Sequence, residues 1–215
     1  MNNVEIKTNE HVLIVGTTGS GKSFFAENYL RFYDSVVKLD TKNEVEERRE
    51  QGLSPWRGLI EGTDFEVVHK LEDLVFCKCE KIIYAPVFEE LDEDFYNEFF
   101  RWCFERKNTI VWIDELMSIT SAQRIPDQLK RILTQGRSKN VSAWCCSQRP
   151  SGIPMIIPSN CSHFITYYLN WSEDRKKMVA FTGCEELLEP LEKSKFYFWY
   201  CSSGMEHAFK GKLKI

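Results

Sequence analysis

Several features are missing from this 215-residue sequence, and each absence excludes a class of protein. No apolar run approaches the roughly 18 residues that a membrane-spanning helix requires. The amino-terminal segment MNNVEIKTNEH has no basic-then-apolar signal, so we expect a cytoplasmic protein that does not insert into a membrane. The net charge of −4 excludes a uniformly basic nucleic-acid binder, although it still allows a local basic strip.

Metal-binding and redox spacings are also missing. The eight cysteines form no CxxC pair, which excludes a zinc knuckle and a thioredoxin-type site, and we expect reduced thiols. Internal repeats, linkers and low-complexity tracts are absent. The length suffices to bury the core of one α/β domain, which we expect to span residues 1–215.

Short apolar runs alternate with amphipathic stretches along the chain. The strands predicted from these runs are residues 12–15, 35–39, 81–84, 109–113, 141–146 and 163–169. The predicted helices are residues 23–32, 43–51, 92–107, a segment from 125 that ends near 136, and 173–181. Residues 196–201 and 207–213, joined by a Ser-Ser-Gly turn, predict a C-terminal β-hairpin. This alternation predicts a mostly parallel central sheet with helices on both faces.

Polar residues follow four of the predicted strands, namely Gly16, Asp40, Asp114 and Gln148. Ligands of such sheets bind at the carboxyl ends of the strands, so we expect these residues to gather at one edge. Asp40 fits a nucleotide-edge role and an amino-terminal helix cap equally well.

The segment 16–23, GTTGSGKS, matches the P-loop pattern GxxxxGK[ST] at every fixed position, between a predicted strand and a predicted helix. The alternative is a chance glycine-rich turn. In a P-loop, backbone N–H groups and the helix amino terminus bind phosphate. We expect Lys22 to contact the β- and γ-phosphates of ATP and the Ser23 hydroxyl to ligate Mg²⁺. The expected nucleotide-binding residues are Gly16, Thr17, Thr18, Gly19, Ser20, Gly21, Lys22, Ser23 and Phe24.

Asp114 and Glu115 follow the apolar strand 109–113, which we expect to lie beside the P-loop strand. An aspartate there can hold Mg²⁺ through its water shell, and an adjacent glutamate can polarise the attacking water. A P-loop kinase does not need that glutamate, because its acceptor is a substrate. Two solvated acids at a strand end are the plain alternative, and the P-loop makes the catalytic interpretation the stronger one.

Gln148 ends the next strand with a neutral amide that can sense the γ-phosphate or hold the lytic water. The alternative for Gln148 is an exposed polar residue at the turn made by Pro150.

Five basic residues in the segment before Gln148 fit a solvated helix face, and they are Arg124, Lys130, Arg131, Arg137 and Lys139.

The order of these motifs resembles the FtsK/HerA superfamily of DNA-translocating ATPases. The shared features are a strand followed by Asp-Glu, a helix with Gly-Arg near its end, and a strand ending Ser-Gln-Arg-Pro. The resemblance covers residues 12 to about 169. The short length and the Ser-Gln-Arg-Pro…Ile-Pro…Asn-Cys segment are similar to the genome-packaging ATPases of tailless icosahedral viruses with an internal membrane. The membrane spans and winged helix of bacterial FtsK are absent, which removes the cell-division role.

This resemblance implies a RecA-like P-loop fold and hydrolysis of the β–γ phosphoanhydride of ATP. It also implies a homo-oligomeric ring, a hexamer or pentamer, that moves double-stranded DNA in the host cytoplasm or in association with the virion. A capsid vertex protein would be a further partner. The matched motif positions carry over roles for Lys22, Ser23, Asp114, Glu115, Gln148 and Arg137.

Arg137 is expected to act as an arginine finger on a neighbouring subunit. It precedes the strand that Gln148 ends, so the strand separates the two by roughly 20–25 Å at ~3.3 Å per residue. Arg137 therefore cannot reach its own ATP, but in a ring it can face the next subunit's phosphates. A solvated arginine near a helix end is the alternative. Arg124 and Arg149 are rival fingers.

Three other functions fit parts of the sequence. A phage-assembly or secretion ATPase similar to the zonula occludens toxin group predicts a membrane segment or a membrane-bound partner. A small-molecule P-loop kinase needs an arginine-bearing lid and does not need Glu115. A nucleotide-regulated switch would hydrolyse ATP slowly and need no ring.

Overall fold

The computed structural model describes residues 5–213, and these residues build one nine-stranded sheet. The predicted domain of residues 1–215 also includes 1–4 and 214–215, which lie outside the described residues. The strands are β1 Val12–Val15, β2 Val36–Leu39, β3 Phe65–Val68, β4 Lys81–Tyr84, β5 Ile110–Ile113, β6 Ser142–Ser147, β7 His163–Thr166, β8 Tyr197–Ser202 and β9 Phe209–Lys212. Their order across the sheet is β3-β4-β2-β5-β6-β1-β7-β8-β9.

Neighbouring strands from β3 to β7 are parallel, and β8 and β9 add an antiparallel hairpin beside β7. The mostly parallel sheet and the C-terminal hairpin predicted from the sequence are therefore confirmed. The helices are α1 Lys22–Leu30, α2 Glu44–Glu50, α3 Glu93–Arg106, α4 Asp127–Gln135, α5 Ile156–Asn160 and α6 Ser172–Thr182.

Helices cover both faces of the sheet, as predicted. Along β1, Leu13 and Val15 join an apolar cluster with residues of α3, α4 and α6. The alternate residues Val12 and Ile14 join a second cluster with residues of α1 and α2. Every residue of β1, β2, β5 and β6 is buried, as expected for central strands of a sheet covered on both sides.

One prediction about strand order is wrong. The strand that precedes Asp114, β5, does not lie beside the P-loop strand, β1. Strand β6 lies between them and pairs with both, so that Trp144 is aligned with Trp112 of β5 and with Val12 of β1. All three strands are buried throughout their length, so their pattern does not encode which of them are neighbours.

Two further differences concern single strands. The prediction missed β3, a four-residue edge strand that has only one pairing partner and only one fully buried residue. The predicted strand 163–169 ends at Thr166, after which the chain turns towards the P-loop. Within residues 5–213, no helix has the length and apolar character needed to span a bilayer. All eight cysteines have free thiols, and six of them are buried.

Candidate nucleotide-binding and catalytic site

The predicted P-loop is a tight connection between β1 and α1. Gly16 N–H donates to the carbonyl of Ser147 (3.1 Å), and Thr17 N–H donates to the carbonyl of Tyr168 (3.0 Å). These bonds tie the loop to β6 on one side and to the segment after β7 on the other. Because α1 begins at Lys22, the unpaired N–H groups of its first turn lie beside the loop, an arrangement that binds phosphate.

Glycine is needed at three positions of the loop for two physical reasons. Gly19 and Gly21 have φ angles of 74° and 105°, a left-handed conformation that other residues rarely adopt. An added Cβ at Gly16 would lie only 2.5 Å from the Cβ of Tyr167. The two fixed glycines of the motif, Gly16 and Gly21, and the additional Gly19 therefore follow from the path of the backbone and the closeness of its neighbours.

The ammonium group of Lys22 lies within the loop. Its Nζ donates to the carbonyls of Gly16 (2.6 Å) and Thr17 (3.2 Å). Burial lowers the pKa of Lys22, and the negative charge of Asp114 opposes this shift. The buried hydroxyls of Thr17 and Ser20 have no hydrogen-bond partner among the described residues, so both remain available to a phosphate.

The other two residues predicted for nucleotide binding occupy different settings. Thr18 is exposed in the loop. Phe24 lies in the first turn of α1, where the guanidinium carbon of Arg57 sits 4.3 Å from the centroid of its ring.

The two residues predicted to hold Mg²⁺ meet in the structure. Burial raises the pKa of Asp114, which is 5% exposed, and the charge of Lys38 and a hydrogen bond from Ser23 oppose that rise. The Oδ1 atom of Asp114 has no hydrogen-bond partner among the described residues. One hydroxyl and one carboxylate fit Mg²⁺, which binds few protein oxygens and keeps its other positions for water and phosphate. Residues 5–213 contain no cluster of three or more His, Cys, Asp or Glu that would form a closed metal site.

The two oxygens of the Glu115 carboxylate have different surroundings. Gln148 Nε2 donates to Oε2 at 2.9 Å, and Lys42 Nζ lies 2.9 Å from the same oxygen. The other oxygen, Oε1, is buried and has no hydrogen-bond partner among the described residues. A carboxylate held at one oxygen and free at the other can accept a proton from a water molecule.

Sequence reasoning missed Lys42, which the structure places beside the predicted metal-holding Asp114 and the predicted catalytic Glu115. Its Nζ lies 3.9 Å from Asp114 Oδ2, in addition to its contact with Glu115. A cavity of about 470 Å³ opens here, and its lining includes Lys42, Glu115 and Gln148. The only signal in the sequence is a lysine two residues after strand-terminal Asp40. A larger cavity of about 1310 Å³ lies at the opposite edge of the sheet and is lined by none of the predicted catalytic residues.

Asp40 acts as a cap for α2. Its Oδ2 accepts a hydrogen bond from Val45 N–H at 2.9 Å, and its Oδ1 accepts one from Lys42 N–H at 3.1 Å. Of the two roles open to Asp40, the structure supports the helix cap.

Arg137 lies at the amino end of β6, on the edge opposite the P-loop. Its Nη2 donates to Ser162 Oγ at 2.7 Å, and no carboxylate among the described residues forms an ion pair with it. Other members of the cationic set do have such partners, since Lys139 and Arg131 both pair with Glu105. Among the described residues, the contact of Arg137 is therefore with a neutral hydroxyl.

The two rival arginine fingers are paired within the chain. Arg149 Nε donates to the buried carboxylate of Asp174 at 2.9 Å. Arg124 forms an ion pair with Glu93 on α3. Each contact restrains the arginine within its own chain.

Comparisons with known proteins agree on the fold. No protein-family model matches the chain. Protein P9 of Pseudoalteromonas phage PM2 is 22% identical over 196 residues, which cover 89% of this chain and 85% of P9. The genome-packaging NTPase B204 from Sulfolobus turreted icosahedral virus 2, solved with AMPPCP, superposes with a TM-score of 0.73 at 15% identity, covering 97% of this chain and 100% of B204. The chain shares the fold of this genome-packaging NTPase.

The TM-score of a second solved structure can be compared with that of B204. The N-terminal domain of zonular occludens toxin from Neisseria meningitidis matches with a TM-score of 0.53 at 14% identity, covering 96% of this chain and 94% of that domain. The fold is thus nearer to B204 than to the toxin domain at similar coverage. The predicted RecA-like P-loop fold is confirmed.

Proposed function

We propose that this chain is a Mg²⁺-dependent ATPase that moves double-stranded DNA as a homo-oligomeric ring and packages a viral genome. One observation carries the catalytic part: the P-loop, the Ser23–Asp114 pair and the free oxygen of Glu115 all lie at the carboxyl edge of one sheet. The fold-level likeness to B204, named a genome-packaging NTPase and solved with AMPPCP, supports the packaging part. The proposed setting is the host cytoplasm or the virion, with a capsid vertex protein as partner.

The proposed reaction is attack of water on the γ-phosphorus of ATP, which yields ADP and inorganic phosphate. Lys22 and the amides of the loop bind the phosphates, and Ser23 and Asp114 hold Mg²⁺. The metal, when bound, neutralises charge on the phosphate oxygens. Glu115 Oε1 accepts the proton of the attacking water, while Gln148 keeps Oε2 in place.

The surroundings of Glu115 favour a hydrolase over a P-loop kinase. A kinase transfers phosphate to a substrate hydroxyl and needs no buried glutamate reserved for water. Here the carboxylate is only 9% exposed, yet one oxygen lacks a hydrogen-bond partner among the described residues. That arrangement is costly unless the oxygen has a polar partner during turnover.

The test is hydrolysis of ATP by the purified full chain, alone and with linear double-stranded DNA, with single-stranded DNA as the control. We expect double-stranded DNA to raise the rate several-fold. Lys22→Ala should abolish hydrolysis under all three conditions, because it removes the cation that organises the β- and γ-phosphates. Wild-type hydrolysis by Lys22→Ala would contradict the ATPase site. Hydrolysis that double-stranded DNA leaves unchanged would contradict the DNA role alone.

A further inference from the structure

The turn between β2 and α2, residues 40–43, is fixed to the helix that follows it. Asp40 accepts hydrogen bonds from the N–H groups of Lys42 (3.1 Å) and Val45 (2.9 Å). Because Asp40 is itself buried, these bonds hold the backbone of the turn at the carboxyl edge of the sheet.

The same turn is also bound to the segment that carries Glu115. Thr41 Oγ1 and Ser118 Oγ lie 2.5 Å apart. Ser118 Oγ in turn donates to the carbonyl oxygen of Glu115 at 2.7 Å. A chain of two hydrogen bonds therefore connects the residue before Lys42 to the backbone of Glu115.

A buried ion pair connects the two elements that flank the turn. Lys38 of β2 is 1% exposed, and its Nζ donates to Glu44 of α2 at 2.6 Å. The same Nζ lies 4.6 Å from the ring centroid of Trp112 on β5. Burial lowers the pKa of Lys38, but the combined attraction of Glu44, Asp114 and Asp40 outweighs it, so the net shift is upward. The pair joins the strand before the turn to the helix after it.

These contacts of the turn place the Lys42 ammonium group beside one oxygen of Glu115, Oε2. Lys42 Nζ and Gln148 Nε2 each lie 2.9 Å from Oε2, which uses both lone pairs of that atom. Lys42 also lies 3.9 Å from Asp114 Oδ2, so its charge sits between two buried carboxylates. Two donors on one oxygen fix the plane of the carboxylate and leave only Oε1 open.

We propose that Lys42 is a positioning residue for hydrolysis, holding Oε2 of Glu115 together with Gln148 so that Oε1 faces the attacking water. The inference rests on the proposed ATPase function. Lys42 acts through Glu115, so replacing it should reduce turnover and leave the affinity of the P-loop for nucleotide unchanged.

The kinetic test compares Lys42→Met, Lys42→Arg and the control Lys176→Met. Lys176 pairs with Glu173 at 2.7 Å on the surface of α6, so its variant also loses one ion pair. We expect kcat of Lys42→Met to fall between ~10-fold and ~100-fold, the scale for a misplaced catalytic group. The Kd for ATPγS should stay within about threefold, since only the transition state loses an interaction. Lys42→Arg, which keeps the positive charge, should recover part of kcat, and Lys176→Met should match wild type.

A second measurement does not depend on hydrolysis. Thermal melting of Lys42→Met, Glu115→Gln and the double variant measures the coupling of the two residues. Lys42→Met should lower Tm, because two buried carboxylates lose a nearby cation. The decrease in Tm should be smaller when Lys42→Met is combined with Glu115→Gln. A non-additive Tm together with an inactive wild type would contradict the ATPase function while supporting the contact.

Three results would overturn the role of Lys42: a Tm loss that is the same in both backgrounds, wild-type kcat in Lys42→Met, or kcat and ATPγS affinity that fall in parallel. The last result would mark Lys42 as a phosphate-binding residue instead of a positioning residue.

Discussion

At the scale of single residues, Glu115 has two oxygens with separate tasks. Oε2 receives Gln148 and Lys42, whereas Oε1 is buried and free of partners among the described residues. Because the two atoms differ only in their surroundings, the catalytic assignment depends on keeping a basic oxygen at the Oε1 position.

Glu115→Gln should bind ATP with wild-type affinity and hydrolyse it at least ~10²-fold more slowly, the usual loss for removing a general base. The amide keeps the shape of the side chain and loses its basicity. Steady-state hydrolysis and the Kd for ATPγS check the two halves of this prediction.

A matched control is Glu173→Gln, which changes an exposed glutamate on α6 that pairs with Lys176. This variant should hydrolyse ATP at the wild-type rate. Parallel loss of binding and turnover in Glu115→Gln would assign Glu115 a structural or metal-holding role.

At the scale of secondary-structure elements, His11 joins the start of β1 to β6. It is fully buried, and its Nδ1 accepts a hydrogen bond from Ala143 N–H at 2.9 Å. Burial lowers the pKa of His11 to about 4, and the positive charge of Arg137 acts in the same direction. The imidazole is therefore neutral in the folded protein at neutral pH.

The free energy of unfolding should fall as pH drops from about 6.5 to about 4. In this window the unfolded chain binds a proton at His11 and the folded chain does not, so protonation favours unfolding. His11→Asn keeps a short acceptor for Ala143 and removes the titration, so its Tm should depend less on pH in this range.

The comparison needs Tm at several pH values for wild type, His11→Asn and His207→Asn. His207 is exposed and pairs with Glu186, so its variant controls for the loss of a surface histidine. Equal slopes of Tm against pH in wild type and His11→Asn would show that His11 does not titrate as proposed.

At the scale of the whole molecule, Arg137 lies at the edge of the sheet opposite the P-loop of the same chain. It precedes β6, whereas Gln148 follows the same six-residue strand. Arg137 binds only the neutral hydroxyl of Ser162 among the contacts described, and its rivals Arg149 and Arg124 have carboxylate partners. We therefore keep Arg137 as the proposed finger acting between subunits.

Mixing inactive Lys22→Ala subunits with inactive Arg137→Ala subunits should restore part of the hydrolysis. Some interfaces in the mixed rings would join an intact P-loop to an intact arginine, which stabilises charge in the transition state. The measurement is ATPase rate against mixing ratio, with mixed assembly verified by differently tagged subunits. Absence of recovery in verified mixed rings, or full activity of Arg137→Ala alone, would remove Arg137 from the mechanism.

The sequence by itself determined the P-loop, because that motif is local. Gly19 and Gly21 need left-handed backbone angles, and Lys22 and Ser23 follow within two residues. The carboxyl ends of β1, β2 and β5 and the C-terminal hairpin were predictable for the same reason, since apolar periodicity and turn residues act over a few positions.

Only the tertiary structure decided which strands are neighbours and which side chains meet. β6 lies between β1 and β5, which brings Gln148 to Glu115 across 33 positions of sequence. Lys42 reaches Glu115 because β2 pairs with β5, and nothing in its local sequence indicates that contact. Strand pairing depends on the packing of distant segments, and several orders of buried strands satisfy the same local pattern. The site around Glu115 therefore forms only when the sheet does.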